Sequence, residues 1–424
     1  MDIDKILEAS RAFYFESGDF NGYPVYRLKK EFALTESSEV KQTLVALIES
    51  ERATVEFGNY HPNPHIKAFP SLQKEKQLEL LGSIELSDHF CIYPSIQSLE
   101  GAIEAETYND EPFKKMLARG AGQLEFRVFD LAVLEHYRND PRYYYSTDSI
   151  QGYISVHNEF FESEDMEERD QVLLQTFGFA YDDDLNRGVA VFLRYLADLS
   201  SEHQRVWAAR ELPTGYKLHP DYYRTNVIGD WPERMSIFDA FVQELKLIND
   251  MSALMSRPPL FRESFSEKPK GFEFLLRPTA KELQDFCLLL DKMMSDNIDK
   301  AFFGSDIPLE TDSVRDDGKV VVTQRGTIAL LEDWIRKYFR PSDPEPLNAV
   351  FAVFKRVRKL RQKPAHVVND DTFDQQNFKE QRELMMQAYN AIRSIRLIFA
   401  NHPAVRAQPP DIYPELRDGK IWTR

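Results

Sequence analysis

The hydrophobic pattern of this chain changes on either side of a proline- and glycine-containing stretch, and that change limits how the chain can fold. Before the stretch, short aromatic and β-branched runs alternate with Pro, Asn and Gly, as is typical of strands. After it, apolar residues recur every three to four positions, as is typical of helices. The stretch itself, residues 256–274 (SRPPLFRESFSEKPKGFEF), predicts a linker. We therefore predict a multidomain chain, with an α+β region at 1–265 followed by an all-α helical bundle at 266–424.

The N-terminal region combines predicted helices with a predicted sheet. Residues 1 to about 50 have helical spacing, as in KQTLVALIESE. Residues 170–199 return to helical spacing around the acidic turn at 182–184, which predicts helices there. Four runs between these segments predict strands of a modest sheet, namely ATVEFGNY, HFCIYPSI, GQLEFRVFDLAVL and GYISVHNEFF.

The C-terminal third predicts four helices. The first opens at Pro278-Thr279, where Thr279 and Glu282 have the spacing of a capping box. A polar loop at 316–318 follows it. The other three helices are expected around 330–338, at about 345–360 and at about 373–399. Four helices joined by mostly short connections favour a helical bundle.

Charge and cysteine content exclude several classes of protein. The net charge is −16, but residues 342–424 hold 14 Lys+Arg against 10 Asp+Glu, which leaves −20 for residues 1–341. Residues 1–341 are acidic enough to repel nucleic acid over most of their surface. Any contact with a polyanion must therefore be local to the basic C-terminal part. Only two cysteines are present, far apart in sequence, and no long apolar run occurs. We expect a cytoplasmic protein without a disulfide scaffold, signal peptide or membrane span.

The most distinctive segment is a basic helix end. Residues 354–363 (FKRVRKLRQK) carry six positive charges and run into Pro364-Ala365-His366. The apolar stripe through Phe354 and Val357 continues, one step of four later, to Arg361, which should therefore point toward the bundle. An inward-facing arginine needs a partner. That partner is either a carboxylate such as Asp370, Asp371 or Asp374, or a phosphate in a cleft shared by Arg361 and His366.

The segment Arg361-Gln362-Lys363-Pro364-Ala365-His366 resembles the R-polar-x3-H motif of the HEPN superfamily, helical-bundle domains common among prokaryotic ribonuclease toxins and antiviral defence proteins. The family usually has Asn, Asp or His after the arginine, and Gln362 departs from that pattern. The resemblance covers roughly residues 272–402, and residues 1–265 resemble no family that we recognise.

The resemblance implies metal-independent cleavage of RNA by attack of the 2′-hydroxyl, giving a 2′,3′-cyclic phosphate, without a cofactor. His366 would be the general acid or base, Arg361 would stabilise the phosphorane charge, and Gln362 would orient His366 or a phosphate oxygen. A HEPN-like bundle of four to five helices, and a homodimer through that bundle, are also implied. A trigger or partner would act through the acidic N-terminal region. Flanking RNA phosphates would be held by Lys355, Arg358, Lys359 and Lys363.

Two alternatives to a ribonuclease stay open. Many members of the superfamily are adaptors that bind RNA or protein without cutting, and the N-terminal region could instead hold an enzyme of another class. His61 and His65, in HPNPH, have a spacing that could serve one metal, although the prolines favour a structural turn. An acid–base set at residues 135–140 and a base-stacking face at the tyrosines 143–145 are weaker possibilities than packing.

Overall fold

The computed structural model describes residues 2–102, 107–148, 150–161, 163, 166–231, 233–314, 316, 319–362 and 372–424. The chain forms two compact units, Met1–Pro232 and Glu233–Arg424. Both units mix helices and strands, so the expectation of a multidomain α+β protein is met. The division lies upstream of the predicted boundary at 265/266.

The first unit contains two antiparallel sheets surrounded by short helices. One sheet has three strands in the order β1-β3-β2, and the other has β4-β8-β7-β6-β5 with β9 paired to β7. The four runs predicted as strands form β2, β3, β4 and β6. In chain order the elements are α1 (Ile3–Glu16), β1 (Tyr23–Pro24), α2 (Val25–Glu31), α3 (Ser37–Glu49), β2 (Ala53–Glu56), α4 (Lys74–Ser83), β3 (Cys91–Pro94), α5 (Ile96–Leu99), α6 (Pro112–Ala118), β4 (Phe126–Phe129), α7 (Glu135–Arg138), β5 (Tyr143–Thr147), β6 (Gln151–Val156), α8 (Asn158–Phe161), β7 (Leu173–Tyr181), β8 (Arg187–Phe192), α9 (Leu193–Ala197), α10 (Ser201–Ala208), β9 (Lys217–Leu218) and α11 (Pro220–Tyr223).

The centre of the larger sheet is the hairpin of β7 and β8, where the sequence predicted helices. The acidic turn at 182–184 connects the two strands, and only residues after Phe192 become helical. Every residue of β8 is buried, as is the second half of β7 from Phe177 to Tyr181. A strand buried on both faces carries apolar residues at consecutive positions, and this removes the two-residue alternation that identifies a strand in sequence.

The second unit contains the four predicted helices and more. They are α13, α14, α15 and α16, and an additional long helix, α12, lies outside the predicted bundle. The prediction of an all-α domain is wrong, because β11 and β12, which lie on either side of the predicted polar loop, pair as antiparallel strands, and β10 pairs with β13. In chain order the elements are β10 (Met235–Ser236), α12 (Ile237–Leu254), α13 (Ala280–Asp291), β11 (Glu310–Val314), β12 (Val320–Gln324), α14 (Thr327–Tyr338), α15 (Glu345–Arg361), α16 (Gln375–Ala400), α17 (Pro403–Ala407), α18 (Pro414–Asp418) and β13 (Ile421–Trp422).

The predicted linker at 256–274 is part of the core of the second unit. Phe261, Phe272 and Phe274 are buried there, and the Phe272 ring stacks on Phe286 of α13 with centroids 5.9 Å apart. Prolines and glycine mark irregular backbone, but the aromatic residues between them bury enough apolar surface to hold the segment in place. The segment therefore does not separate domains.

Helices α12 and α16 are joined by a buried ion pair. Arg396 Nε donates to Glu244 Oε2 at 2.5 Å, and its second nitrogen, Nη2, donates to Oε1 at 3.2 Å. The side chain of Glu244 is fully buried and that of Arg396 is 6% exposed. A carboxylate in such a place is tolerated only because the guanidinium meets both of its oxygens. This pair fixes α12 to the unit that contains the predicted bundle.

Both cysteines, Cys91 and Cys287, are buried thiols without a disulfide. Within the described ranges, every helix is too short or too polar to cross a bilayer.

Candidate functional site

Helix α15 places Arg361 against a neighbouring helix. Its buried residues follow one face, from Leu347 through Phe354 to Val357. Arg361 is the next residue on that face and the last residue of the helix. Its guanidinium therefore reaches the side of α13.

The surface that meets Arg361 is built by an irregular end of α13. The helix begins at the cap Thr279, whose hydroxyl accepts from the Glu282 N–H at 3.3 Å, and it ends at Asp291. A π turn at Lys292–Asp296 follows directly. In a regular α-helix, residues five apart lie about 140° apart around the axis. A π turn pairs residues five apart, so Asp296 comes to the same side as Asp291.

Two arginines and two aspartates form a compact cluster between α13 and α15. Arg361 Nη1 donates to Asp291 Oδ2 at 2.7 Å and to Asp296 Oδ2 at 2.5 Å. Arg358, one turn earlier, donates from Nε to Asp291 Oδ1 at 3.2 Å and from Nη2 to Asp296 Oδ1 at 2.7 Å. Each carboxylate thus meets both guanidiniums. We call these four residues the Arg–Asp cluster.

The two aspartates of the Arg–Asp cluster differ in exposure. The Asp291 side chain is fully buried, whereas that of Asp296 is 42% exposed. Arg361 is 32% exposed, and its hydrogen bonds to Asp291 and then to Asp296 raise the pKa of its guanidinium. Asp291 therefore anchors the arginines, and Asp296 covers them on the side open to water.

Asp374, one of the carboxylates predicted to pair with Arg361, is not its partner. Asp374 caps α16 by accepting from the Gln376 N–H at 2.9 Å, while Asp291 and Asp296 receive Arg361. The other two carboxylates suggested for this role, at positions 370 and 371, lie outside the described residues. The requirement for a partner was correct, because the guanidinium is ion-paired.

The remaining predicted site residues have different surroundings. Gln362 is exposed and caps α15, with its backbone N–H donating to the Arg358 carbonyl at 3.2 Å. Lys355 is paired with Glu332 of α14 at 2.8 Å, and Lys359 is exposed. Two predicted site residues, Lys363 and His366, lie outside the described residues. Within the described part of the chain, the structure therefore brings the side chain of Arg358 close to that of Arg361. Arg358 is hydrogen-bonded to the carboxylates of Asp291 and Asp296.

Asp291 and Asp296 were not among the residues predicted from the sequence. Asp291 lies four residues after the buried Cys287, so an acidic residue on the apolar face of α13 was a readable signal. Asp296 gave no such signal, because a helical wheel puts it on another face.

The other sequence candidates in the first unit form local structure. Asn63 organises HPNPH as a turn, accepting at Oδ1 from the His65 N–H at 3.1 Å and donating its own N–H to His61 Nδ1 at 3.2 Å. Arg142 is paired with Asp140 at 2.8 Å and with Asp170 at 2.9 Å. In the parts of the chain that the structure describes, no three His, Cys, Asp or Glu side chains are grouped so as to hold a metal ion.

Comparisons of this chain with protein-family models, with curated proteins and with solved structures gave no match.

Proposed function

We propose that the protein is a metal-independent endoribonuclease of the HEPN type, a toxin or antiviral-defence effector acting in the cytoplasm. Arg361 and His366 are its catalytic residues, and Gln362 orients His366 or a phosphate oxygen. The protein works as a homodimer through its C-terminal unit. The observation that carries the proposal is the position of Arg361, held between two helices at the last residue of α15 and five residues before His366.

Such an arginine is suited to a phosphate in its transition state. A catalytic guanidinium has to be held in place before the substrate arrives, since preorganised donors stabilise developing charge without a cost of reorientation. Asp291 supplies that support from a fully buried position. The raised pKa of Arg361 keeps the guanidinium charged at every physiological pH.

The proposed reaction is an internal transfer at phosphorus. The ribose 2′-oxygen forms a bond to the adjacent phosphorus, and the bond from phosphorus to the 5′-oxygen of the next nucleotide breaks. One proton leaves the 2′-hydroxyl and one reaches the departing 5′-oxygen; the imidazole of His366 carries out one of these transfers and water carries out the other. Arg361 donates to the phosphate oxygens as their negative charge grows.

RNA has to compete with one carboxylate of the Arg–Asp cluster. The four side chains sum to zero formal charge, so a phosphate gains little attraction while both aspartates stay in place. Asp296 is the more exposed and can swing into water, whereas Asp291 is fully buried, where no water can replace its arginine partners. The phosphate therefore replaces Asp296 on Arg361, and Lys359 and Lys363 contact the flanking backbone.

The test is cleavage of RNA in EDTA by the full-length wild type and by the variants Arg361→Ala, Arg361→Lys and His366→Ala, with analysis of the 3′ ends. We expect cyclic-phosphate ends from the wild type. We also expect at least about a hundredfold loss in each variant, Arg361→Lys included, because lysine keeps the charge but lacks the fork of donors. Arg406→Ala in α17 is the control for loss of an exposed arginine and should retain activity.

A second candidate function is a non-catalytic adaptor that binds RNA or protein, and the Arg–Asp cluster itself favours it. Arg361 already has two carboxylate partners, so it can serve as a cross-link between α13 and α15 without a substrate. On this alternative, Arg361→Ala lowers the stability of the second unit and His366→Ala changes nothing. Wild-type protein that leaves RNA intact, together with a silent His366→Ala variant, would refute the ribonuclease in favour of the adaptor.

A further inference from the structure

A polar cavity lies within the first unit, far in sequence from the Arg–Asp cluster. It is bounded by the loop after α1, by α6, by α9 with the turn that follows it, and by residues 168–171. Its volume is about 430 Å³. Sites for small molecules commonly have volumes of about 300–1,000 Å³, so the cavity can enclose one small metabolite.

Carboxylates dominate the charge of this cavity. Asp19, Glu168 and Asp198 line it, and burial together with the neighbouring charge of Asp19 raises the pKa of Asp198. The cavity is also lined by Glu111, which is paired with Lys114 at 3.2 Å, and by Arg194, so four carboxylates face two cations. The cavity thus has an excess of negative charge for a cationic ligand to neutralise.

Gln123 adds an unused hydrogen-bond acceptor to the cavity wall. The residue is 3% exposed, and its Nε2 donates to the backbone oxygens of Asp19 at 2.5 Å and Phe20 at 3.3 Å. Its Oε1 is buried and accepts no hydrogen bond from the residues that the structure describes. The backbone of Gln123 is fixed as well, because its N–H donates to the Lys67 carbonyl and its carbonyl accepts from the Arg194 N–H. A buried acceptor without a donor is costly, so this position favours a ligand with N–H groups.

These features distinguish an organic cation from a metal ion. No group of three or more His, Cys, Asp or Glu among the described residues is placed so as to hold a metal ion, whereas two carboxylates and an amide oxygen offer acceptors for the three N–H donors of an ammonium group. We propose that the cavity is a binding site for a small molecule with a protonated amine, which the carboxylates of Asp19 and Asp198 and the Oε1 of Gln123 receive.

Two kinds of ligand carry such an amine, a basic amino acid and an aliphatic diamine, and Arg194 distinguishes between them. Its side chain lines the same cavity, with the guanidinium over the Tyr195 ring at 5.4 Å, and it can pair with an acid group at the other end of a ligand. A basic amino acid would use Arg194, whereas an aliphatic diamine would not.

The test is calorimetric titration of the full-length protein with putrescine, with lysine and with inorganic phosphate, at low ionic strength. We expect saturable binding of putrescine or lysine and none of phosphate. Asp198→Asn should weaken amine binding about tenfold or more, because it removes a charged hydrogen-bond acceptor. Asp184→Asn, which removes the same charge from the exposed 182–184 turn outside the cavity, should leave the affinity unchanged.

Further variants identify the ligand class and guard against misfolding. Arg194→Gln should weaken lysine binding and spare putrescine binding, and thermal melting of Asp198→Asn should match that of Asp184→Asn. Absence of saturable amine binding at millimolar concentration would overturn the proposal. Equal affinity in the Asp198→Asn and Asp184→Asn variants would overturn it too, as would preferential binding of phosphate.

Discussion

Replacing each aspartate of the Arg–Asp cluster by asparagine should have unequal effects on stability. Both changes keep the shape of the side chain and remove one negative charge. Asp291 is fully buried and accepts from both Arg358 and Arg361, so Asp291→Asn leaves two partly buried guanidiniums facing an amide. Asp296 is 42% exposed, and water can replace its carboxylate.

The magnitude follows from these contacts. Breaking a buried ion pair costs about 3–5 kcal/mol. Both arginines keep Asp296 and are about a third exposed, so we expect the lower end, about 3 kcal/mol, for Asp291→Asn. Asp296→Asn resembles the loss of a surface pair and should cost about 1 kcal/mol or less.

Urea unfolding of the full-length chain, followed by circular dichroism, measures the two free energies. Hydrogen exchange of the α13 and α15 amides then assigns the change to the second unit, because local opening there reports the cross-link between these helices. Asp285→Asn, at an exposed position of α13, controls for the loss of one acidic residue. If the two cluster variants lose equal stability within about 0.5 kcal/mol, the difference in burial does not control the energetics and the reasoning fails.

Two further predictions concern buried polar groups. Burial lowers the pKa of His203 from 6.5 to about 4, so between these pH values the unfolded chain binds more protons than the folded chain. The free energy of unfolding therefore decreases as the pH is lowered, and at pH 5 it should be about 2 kcal/mol smaller than at neutral pH. Acid titration of the free energy of unfolding should show this loss, and His203→Phe should remove it; an unchanged slope contradicts the assignment. Glu244→Gln should cost about 3–5 kcal/mol in urea unfolding, because it leaves Arg396 charged and buried. The double variant Glu244→Met with Arg396→Met should recover part of that loss. A Glu244→Gln variant as stable as the wild type would contradict the predicted cost.

Features whose physical cause lies within a few residues could be predicted from the sequence. The capping box at Thr279 and Glu282 and the apolar stripe of α15 depend on contacts within one helix, and the helices occur where these patterns place them. The strands β2, β3, β4 and β6 also followed local aromatic and β-branched runs. In these elements local preference and tertiary packing agree.

Features that depend on distant parts of the chain could not be predicted in this way. Strand β8 and the second half of β7 appeared helical because they are buried on both faces, which removes the alternation of apolar and polar residues. The segment 256–274 appeared to be a linker because its prolines are visible in sequence and the α13 surface that buries its aromatics is not. The partners of Arg361 are 65 and 70 residues away, and one reaches it only through a π turn.

The unequal burial of Asp291 and Asp296 also limits how a phosphate could use Arg361. A phosphate that displaces Asp296 exchanges one charged hydrogen bond for another, so the net gain at this position is the small difference between two interactions of about 1.5–3 kcal/mol each. Arg361 can then discriminate the transition state, where the phosphate bears more charge, but it contributes little to binding of the ground state. In the proposed ribonuclease, most of the affinity for RNA would therefore come from exposed cations such as Lys359, and that part of the binding would weaken as salt rises. The proposed ribonuclease site therefore has two separable parts. The positioned arginine increases the rate of cleavage, and the surface lysines provide the affinity for RNA.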